Sequence, residues 1–469
     1  MRDGGRISAA IGVLADIDDR HKPSRLALKT WGDASRFAGA KDRAFVSGLV
    51  LDVLRHRRSL AWRMRDNSWR AAVIAALRFE WDWPIERIAE ACADEPHGPG
   101  PLSPEDLARL AKPVELSTAT MAVRGDYPDW LEISFKRVFG EARAREGAAL
   151  AERAPIDLRV NTLKATRDQV LNALGDMGAG PAGLLPTSLR VPAPQASERA
   201  APVESHPAFA NGWFEVQDAG SQIASACAGD IRGKQVLDYC AGGGGKTLAL
   251  AAAMAGKGRI FAYDADARRM RDITPRALRA GITNLEIRTP LDKTPLQGLE
   301  EAMDLVFVDA PCSGSGTWRR HPDAKWRLSP QTLARRVDEQ NSVLKQAAGY
   351  VKPGGRLVYV TCSVLAEENE DRIAAFTEDG AFSVQKAEVP GLSGLQTPEG
   401  YIRVSPLSVE TDGFFAAVLV KSLTPPQTPA VPAGPVKAAK PARPKPTIRS
   451  TGRPTGRSKP APPKRKPRT

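Results

Sequence analysis

The feature that most constrains the fold is a strict alternation of strand and helix signals that begins near residue 211. Short apolar runs with strand character occur in the order QVLDYC, RIFAYDAD, NLEIR, DLVFVDAP, RLVYVTCS and GFFAAVLVK. The helical stretches between them include KTLALAAAMAG, ARRMRDITPRALRAG and PQTLARRVDEQNSVLKQAAGYV. Buried strands that alternate with helices are typical of a doubly wound, mostly parallel sheet. The alternation therefore predicts an α/β domain over residues 211–421, closed by the last strand.

Polar side chains collect where these predicted strands end. In a doubly wound sheet the carboxyl ends of the parallel strands meet at one edge, where ligands bind. The side chains at or just beyond strand ends are Cys240, Asp264, Asp309, Cys312 and Cys362. The chain has five cysteines, at irregular spacing and without a CxxC pair, which argues against a disulfide framework or a structural zinc site. We therefore predict a metal-free functional site at this edge, in a cytoplasmic protein.

The segment DYCAGGGGKT is a glycine-rich turn between a predicted strand and a predicted helix. It is not a P-loop, because Cys240 stands where that motif needs a glycine, and it is not a clean GxGxxG fingerprint. Glycines let the backbone approach a ligand closely, and the helix that follows offers free N–H groups. Asp264 ends the next strand, where a carboxylate can bind ribose hydroxyls. The combination indicates an adenosine cofactor. The alternative interpretation is that the turn serves only packing.

Two predicted strands are each followed by a cysteine. In VDAPCSGSG, Asp309 ends the strand and Cys312 follows in a loop of small residues with room for a planar substrate. In VTCSV, Cys362 stands at the end of the next strand. A buried structural thiol is the alternative interpretation of Cys312. Because neighbouring strand ends open into one pocket, we predict that both thiols reach the cofactor cleft.

Basic residues cluster in two further segments. After the first cysteine motif, TWRRHPDAKW carries cations between two tryptophans and could contact phosphates or stack on bases. The helix end RHRRSLAWRMR is a second candidate. Solvated charge runs are the alternative in both places. The candidate RNA contacts are Arg319, Arg320, His321, Arg55, Arg57 and Arg58, with Trp318 as a further stacking residue.

The rest of the chain divides by composition. AKDRAFVSGLVLDVLRHRRSLAWRMR and AAVIAALRFEWDWPIERIAEAC predict a helical domain over residues 1–125. APIDLRVNTLK, between helical stretches, predicts a small α+β segment over residues 126–210. No run is long and apolar enough for a membrane span, and the acids near the N-terminus argue against a secretory signal.

The net charge of +13 is concentrated in the C-terminal tail. Residues 422–469 contain twelve Lys or Arg and no acid, which leaves about +1 for everything before them. The tail is rich in Pro, Lys, Arg and Ala, cannot bury apolar surface, and is predicted to be disordered. RNA binding by the folded part must therefore depend on local patches.

These motifs together resemble a known family. DAPCSGSG with TCS, after a glycine turn that ends in GGK, resembles the RNA cytosine-5 methyltransferases of the Fmu/Sun type. The resemblance runs from Tyr127 to Lys421, and DDRHKPSRLALK near the N-terminus is similar to the NusB-like RNA-binding domain of the bacterial ribosomal RNA enzymes. It implies a Rossmann-like methyltransferase sheet, S-adenosylmethionine as the cofactor, and a cytosine in ribosomal RNA as the substrate. We also expect a monomer.

The resemblance also implies residue roles. In this family the TC cysteine, here Cys362, is the nucleophile, and the PC cysteine, here Cys312, assists product release. A thiolate that adds to C6 of cytosine makes C5 nucleophilic toward a methyl group, and Asp309 would orient the base. Glycines stand where the family has Ala-Pro, which loosens the turn but keeps its backbone donors. The implied cofactor-binding residues are Cys240, Ala241, Gly242, Gly243, Gly244, Gly245, Lys246, Asp264 and Asp309, with Asp292 as the candidate for a further acidic position.

Three other functions agree less well with these motifs. A DNA cytosine-5 methyltransferase would use the PC cysteine as its nucleophile and would leave Cys362 without a role. A dehydrogenase would need a hydride-transfer partner, for which the sequence offers no convincing candidate. A non-catalytic RNA-binding ribosome assembly factor predicts lost cysteines or a broken glycine turn, whereas Cys312, Cys362 and Lys246 are present. A transfer RNA substrate stays open.

Overall fold

The N-terminal part of the chain is a bundle of short helices, as the sequence predicts. The computed structural model describes residues 1–182, 185–389, 391–392 and 394–423, which all belong to one compact unit. The predicted disordered tail, apart from its first two residues, lies outside the described residues. The bundle helices are α1 (Asp3–Asp19), α2 (Ser24–Ala34), α3 (Ala40–Arg55), α4 (Arg57–Met64), α5 (Trp69–Phe79), α6 (Ile85–Cys92), α7 (Pro104–Ala111) and α8 (Met121–Arg124).

A break at His56 divides a stretch that the sequence predicts as one continuous helix. The apolar face of α3, which includes Phe45 and Leu49, packs into the bundle core as the periodicity predicts. Beyond His56 the buried carboxylate of Asp126 accepts the backbone N–H groups of Arg58 and Ser59 at 2.9 and 3.0 Å. These bonds satisfy free donors at the start of α4, so a distant residue determines where the new helix begins.

The middle of the chain forms a small antiparallel sheet flanked by helices. Its strand order is β2–β3–β1–β4. The elements are α9 (Glu132–Phe139), α10 (Arg143–Ala149), β1 (Ile156–Val160), α11 (Arg167–Ala173), β2 (Gly180–Pro181), β3 (Ser188–Val191), α12 (Pro207–Ala210) and β4 (Phe214–Val216). The α+β character of this segment agrees with the sequence pattern.

The remaining elements build the large sheet. They are α13 (Ala219–Ala226), β5 (Gln235–Asp238), α14 (Gly245–Met254), β6 (Arg259–Tyr263), α15 (Ile273–Ala280), β7 (Leu285–Arg288), β8 (Met303–Asp309), α16 (Pro322–Arg327), α17 (Pro330–Ala348), β9 (Val351–Thr361), α18 (Glu370–Thr377), β10 (Phe382–Gln385), β11 (Ile402–Val404), α19 (Pro406–Val409) and β12 (Phe414–Lys421).

The strand order is β10–β12–β9–β8–β5–β6–β7, with β11 also paired to β12. The five strands from β9 to β7 are parallel, and those around β12 are antiparallel. The predicted doubly wound, mostly parallel fold is therefore confirmed. The prediction that the last strand closes the sheet is wrong, because β12 lies inside it and β10 forms the edge.

Both faces of the sheet are covered by helices. Along β9, Val358 and Val360 pack with residues of α13 and α14 on one face. Leu357 and Tyr359 point to the other face and pack with residues of α17 and α18. Because side chains alternate along a strand, continuous apolar runs such as this one are what a sheet buried on both sides requires. Among the described residues, no helix is long and apolar enough to cross a membrane.

Candidate active site

The carboxyl ends of four adjacent parallel strands bring the predicted site residues to one edge of the sheet. We call the group Lys246, Asp309, Cys312 and Cys362 the active-site edge. Asp309 ends β8, and Cys362 directly follows β9, its neighbour. Lys246 reaches the same place from the first turn of α14, which follows β5 and the glycine turn. The described residues contain no cluster of His, Cys, Asp or Glu that could hold a metal ion.

Cys312 and Cys362 face each other at this edge. Their sulfur atoms are 3.4 Å apart, both side chains are half-buried, and both are free thiols. The two loops are tied together, since the N–H of Gly316 donates to the carbonyl of Cys362 at 2.9 Å. The hydrogen bond with Cys362 and, next, burial raise the pKa of Cys312 well above the usual value for a thiol. Cys312 is therefore protonated at neutral pH.

A buried carboxylate that the sequence analysis missed supports the Cys312 loop. Glu368 accepts the backbone N–H of Ser313 at 2.7 Å and also the hydroxyl of that serine. Its other partner is the side-chain amide of Gln340 at 3.0 Å, which also donates to the carbonyl of Pro311 at 2.9 Å. These bonds fix the residues on both sides of Cys312. The acidic run AEENED after TCS is the only signal in the sequence, and it does not single out Glu368.

Lys246 and Asp309 form an ion pair beside the thiols. Lys246 Nζ lies 2.7 Å from Asp309 Oδ2 and 5.2 Å from the centre of the Phe414 ring. Burial alone would lower the pKa of Lys246, but the Asp309 carboxylate outweighs it and raises that pKa above its usual value. The Asp309 side chain is one-third exposed, so it keeps an acceptor for a ligand. The lysine thus contacts the candidate catalytic carboxylate.

The glycine turn presents backbone to the space in front of it. Gly242 and Gly244 have φ values of +51° and +84°, which glycine adopts without strain. A Cβ on Gly244 would lie 2.7 Å from Ile273, whereas one on Gly243 or Gly245 would meet nothing closer than 3.5 Å. The turn therefore has open space before a helix N-terminus. This arrangement fits a nucleoside cofactor such as S-adenosylmethionine.

Two buried carboxylates support the glycine turn. Asp264, at the end of β6, accepts the N–H of Gly242 at 3.0 Å and pairs with Arg269 at 3.0 Å. Asp238, at the end of β5, accepts the Thr247 hydroxyl through one oxygen, and its other oxygen has no partner among the described residues. Burial, helped by the nearby acids, raises the pKa of Asp238 to about 7. Nothing in the sequence distinguishes Asp238 from the other acids at strand ends.

The other predicted cofactor residues have less defined surroundings. Cys240 is half-buried, and burial raises its pKa. The N–H of Ala241 donates to the carbonyl of Tyr263 at 2.9 Å, which holds the turn against β6. Asp292 is exposed in the loop after β7, and no side-chain contact of the described residues links it to the glycine turn. Cofactor contacts of Cys240, Ala241 and Asp292 stay predictions.

Several predicted RNA contacts are instead internal. Arg319 is 4% exposed and pairs with Asp412 and Asp218, and Arg320 pairs with the same two carboxylates. Trp318 is buried and stacks on Phe135, so it is not open to a base. The prediction that Trp318 and Arg319 contact RNA is therefore wrong, because both side chains are buried. The Arg320 side chain is paired but 28% exposed, so its RNA contact stays a prediction.

Arg55, another predicted RNA contact, is also internal. Its guanidinium is buried, pairs with Asp52, and donates to the carbonyl of Arg319 at 2.8 Å. It therefore joins the helical bundle to the segment after Cys312, and its buried position contradicts the predicted RNA contact. A neighbouring hydrogen bond runs from Lys325 Nζ to the carbonyl of Arg55 at 2.9 Å. We call residues 318–327 the docking segment.

Three further predicted RNA contacts stay accessible. His321 is exposed at the surface of the docking segment. Arg57 and Arg58 line a cavity of about 760 Å³ in the helical bundle, together with Trp62 and Trp69. The Arg57 guanidinium lies 4.4 Å from the Trp69 ring centre, whereas Arg58 is bound to the carbonyl of Tyr127. RNA binding by these residues stays a prediction.

Comparison with known proteins assigns this arrangement to a family. Residues 230–420 match the family described as 16S rRNA methyltransferase RsmB/F, and residues 127–197 match the ferredoxin-like domain of RsmF/B-like methyltransferases. Ribosomal RNA small subunit methyltransferase B of Citrobacter koseri is 34% identical over 307 residues, 65% of this chain and 68% of the relative. Its counterpart in Salmonella typhi is 35% identical over 309 residues, with the same shares. The crystal structure of PH0851 is 26% identical, with a TM-score of 0.66 over 90% of this chain and 99% of that one.

Proposed function

The chain belongs to the RsmB/F family of S-adenosylmethionine-dependent RNA methyltransferases, and we propose that it methylates C5 of a cytosine in small-subunit ribosomal RNA through a covalent adduct. The observation that carries the proposal is the facing pair of thiols beside a lysine–aspartate ion pair. Covalent activation of a pyrimidine needs a sulfur nucleophile, a way to release it, and a group that holds the base.

In the proposed reaction Cys362 adds to C6 of the cytosine, which makes C5 nucleophilic. S-adenosylmethionine supplies the methyl group that C5 takes up. The C5 proton then passes to solvent water, its electron pair re-forms the C5–C6 double bond, and the bond between C6 and the Cys362 sulfur breaks. Cys312 is hydrogen-bonded to that sulfur and has a raised pKa, so it can donate to the sulfur as it leaves. Two thiols in one site therefore have two different tasks.

Asp309 is the proposed base-holding residue. Lys246 binds one of its oxygens, and the partial exposure of the side chain leaves an acceptor for the amino group or protonated ring nitrogen of cytosine. Negative charge at this position would stabilise the protonated base of the intermediate. Lys246 directly follows the glycine turn, so this ion pair connects the proposed base site with the proposed cofactor site.

The glycine turn and its supporting carboxylates are the proposed cofactor site. The turn offers backbone N–H groups and open space, and Asp264 holds Gly242 in the left-handed conformation that shapes it. Ribosomal RNA is favoured as the substrate because the related proteins from Citrobacter koseri and Salmonella typhi are both ribosomal RNA small subunit methyltransferases B.

Nucleoside analysis of the product tests this function. The purified protein would be incubated with S-adenosylmethionine labelled in its methyl group and with either small-subunit ribosomal RNA or transfer RNA. We expect label in 5-methylcytidine from the ribosomal RNA, and no label with Cys362→Ala. Label in another nucleoside would contradict the C5 chemistry. Label only in transfer RNA would contradict the substrate.

A further inference from the structure

A small cavity lies where the helical bundle meets the loop that carries Cys312. Its volume is about 340 Å³. We call it the Arg25 cleft, and it is lined by Pro23, Ser24, Arg25, Ser313, Gly314, Thr317, His321, Asp323, Ala324 and Arg327. The first three of these belong to the start of α2 and the residue before it, and the others belong to the Cys312 loop and the docking segment. Ser313 and Gly314 directly follow Cys312, so the cleft adjoins the active-site edge.

The two walls of this cleft are held in fixed positions. The hydroxyl and the backbone N–H of Ser24 both donate to the carboxylate of Asp323, at 2.8 and 3.2 Å. Close by, the Trp326 indole donates to the carbonyl of Leu54 at 2.6 Å, and Lys325 caps the carbonyl of Arg55. These contacts are buried or partly buried and cross from the bundle to the docking segment. The cleft is therefore a preformed feature of the fold.

The charge exposed in the cleft is positive. Arg25 and His321 are exposed, and neither side chain has an ion pair or hydrogen bond with another described residue. Arg327 lies beside them and contacts Asp323 at 2.8 Å. The single acid of the cleft is occupied by Ser24 and Arg327, so its charge is offset. An unpaired arginine and an exposed imidazole beside the Cys312 loop are suited to a polyanionic substrate.

We propose that the Arg25 cleft binds the sugar–phosphate backbone of the RNA strand next to the target cytosine, with Arg25 and His321 as the phosphate contacts. The proposal rests on the proposed function, which places the target base beside Cys312 and Cys362. A nucleotide that enters the active-site edge carries its neighbours with it, and their phosphates must pass the loop that follows Cys312. The cleft is at the small end of the usual ligand-pocket range of roughly 300–1,000 Å³, which suits one nucleotide unit.

One consequence is a new role for the helical bundle. Because Arg25 comes from α2, the bundle contributes directly to the substrate-binding surface beside the catalytic cysteines. Positioning of the target is then shared between Asp309, which holds the base, and a contact from the helical bundle to the RNA sugar–phosphate backbone. Arg25 acts here as a positioning residue, since it holds the strand and does not touch the reacting atoms.

Salt dependence of RNA binding tests the phosphate contact. We would compare wild type, Arg25→Ala and Arg2→Ala, which removes an exposed arginine from another cavity of the same bundle. Loss of one charge-assisted contact should weaken RNA binding about tenfold for Arg25→Ala. The slope of log K against log salt should become shallower by about 0.7. Arg2→Ala should change neither. Equal affinity and slope in wild type and Arg25→Ala would overturn the proposal.

Cross-linking locates the contact on the RNA. A photoreactive amino acid would replace Arg25 in one protein and Arg2 in another, and the cross-linked nucleotides would be mapped on ribosomal RNA. We expect cross-links from position 25 within a few nucleotides of the methylated cytosine, and none there from position 2. If the protein still methylates the RNA but cross-links from position 25 map elsewhere, the cleft assignment is overturned and the proposed function stands. RNA bound through Arg25 without any 5-methylcytidine would contradict the proposed function and leave the cleft assignment in place.

Discussion

The active-site edge and the docking segment both hold buried cations, but they use them in different ways. Lys246, at the edge, pairs with a single carboxylate that is still one-third exposed. In the docking segment, Arg319 and Arg320 are each bound by both Asp218 and Asp412. A cation whose carboxylate partner is still partly exposed can act on a ligand through that partner. A cation whose carboxylate partners are all buried stabilises the fold. Charge-rich sequence alone does not distinguish the two.

The two buried lysines show the same contrast. The Asp309 carboxylate raises the pKa of Lys246, which is therefore cationic throughout the physiological range. Lys325 is 1% exposed and has only the Arg55 carbonyl as its hydrogen-bond partner among the described residues, and burial lowers its pKa to about 8. We therefore expect substitutions at the edge to change activity, and substitutions at the docking segment to change stability.

The largest effect is expected for Cys362→Ala. Removal of the proposed nucleophile should reduce single-turnover methyl transfer by at least about 10⁴-fold, as for other residues that form the covalent bond. The melting temperature should stay within the error of the wild-type value, because the side chain is half-buried and its thiol has no carboxylate partner among the described residues. A large loss of stability would show that Cys362 is a structural residue like those of the docking segment, which would contradict the contrast between the two regions.

Asp412→Asn should have the opposite profile. The change removes a buried negative charge from two arginines, and breaking such a pair costs roughly 3–5 kcal/mol of unfolding free energy. Methyl transfer per folded molecule should stay close to that of wild type. Urea unfolding followed by circular dichroism measures the loss.

The matched control for this substitution is Asp230→Asn, which breaks an exposed pair with Arg232. It should leave the unfolding midpoint unchanged. If Asp412→Asn and Asp230→Asn unfold at the same urea concentration, the arginines of the docking segment are not structural and their assignment to RNA contact would be revived.

Asp309→Asn tests whether the charge of the active-site edge serves catalysis. The amide keeps the shape of the side chain but loses the charge that holds the protonated base, so the rate of methyl transfer should fall about 10²- to 10³-fold. Binding of RNA should change little, because Asp309 acts on one base. Single-turnover kinetics with saturating RNA measures the effect. A rate within twofold of wild type corresponds to a change of at most about 0.4 kcal/mol in activation free energy. That result would show that Asp309 has no catalytic role.

The smallest expected effect is a pH dependence that Lys325→Met removes. The lysine has a pKa of about 8 in the folded protein, compared with about 10.4 in an unfolded chain, so the unfolded state binds more protons between these values. The stability of wild type should therefore rise relative to Lys325→Met as the pH increases from 8 to 10, by up to about 1.4 kcal/mol per pH unit. Parallel stability curves for the two proteins would show that Lys325 is not desolvated as described.

Much of the site could be predicted from the sequence because it depends on strand ends. The alternation of strands and helices places Cys240, Asp264, Asp309 and Cys362 at one edge whatever the details of packing. The position of the final strand could not be read in this way. β12 enters between β9 and β10 because it pairs antiparallel with both, and strand order depends on pairings between residues far apart in the chain.

The partners of charged side chains could not be predicted from the sequence either. Arg320 finds Asp412 and Asp218 at separations of 92 and 102 residues, and nothing near RRHPDAKW indicates that its arginines are already paired. Glu368 supports Ser313 across 55 residues for the same reason. A local run of charge therefore predicts that a segment is polar, whereas the tertiary structure determines whether that charge faces a ligand.

The most direct test of the central claim is a denaturing gel of the protein with labelled small-subunit ribosomal RNA and S-adenosylmethionine. Wild type, Cys312→Ala, Cys362→Ala and the double variant would be compared. We expect a covalent protein–RNA band that accumulates with Cys312→Ala, because release is impaired, and that is absent in both proteins without Cys362. A band that persists without Cys362, or methylation by Cys362→Ala, would contradict the assignment of the two thiols.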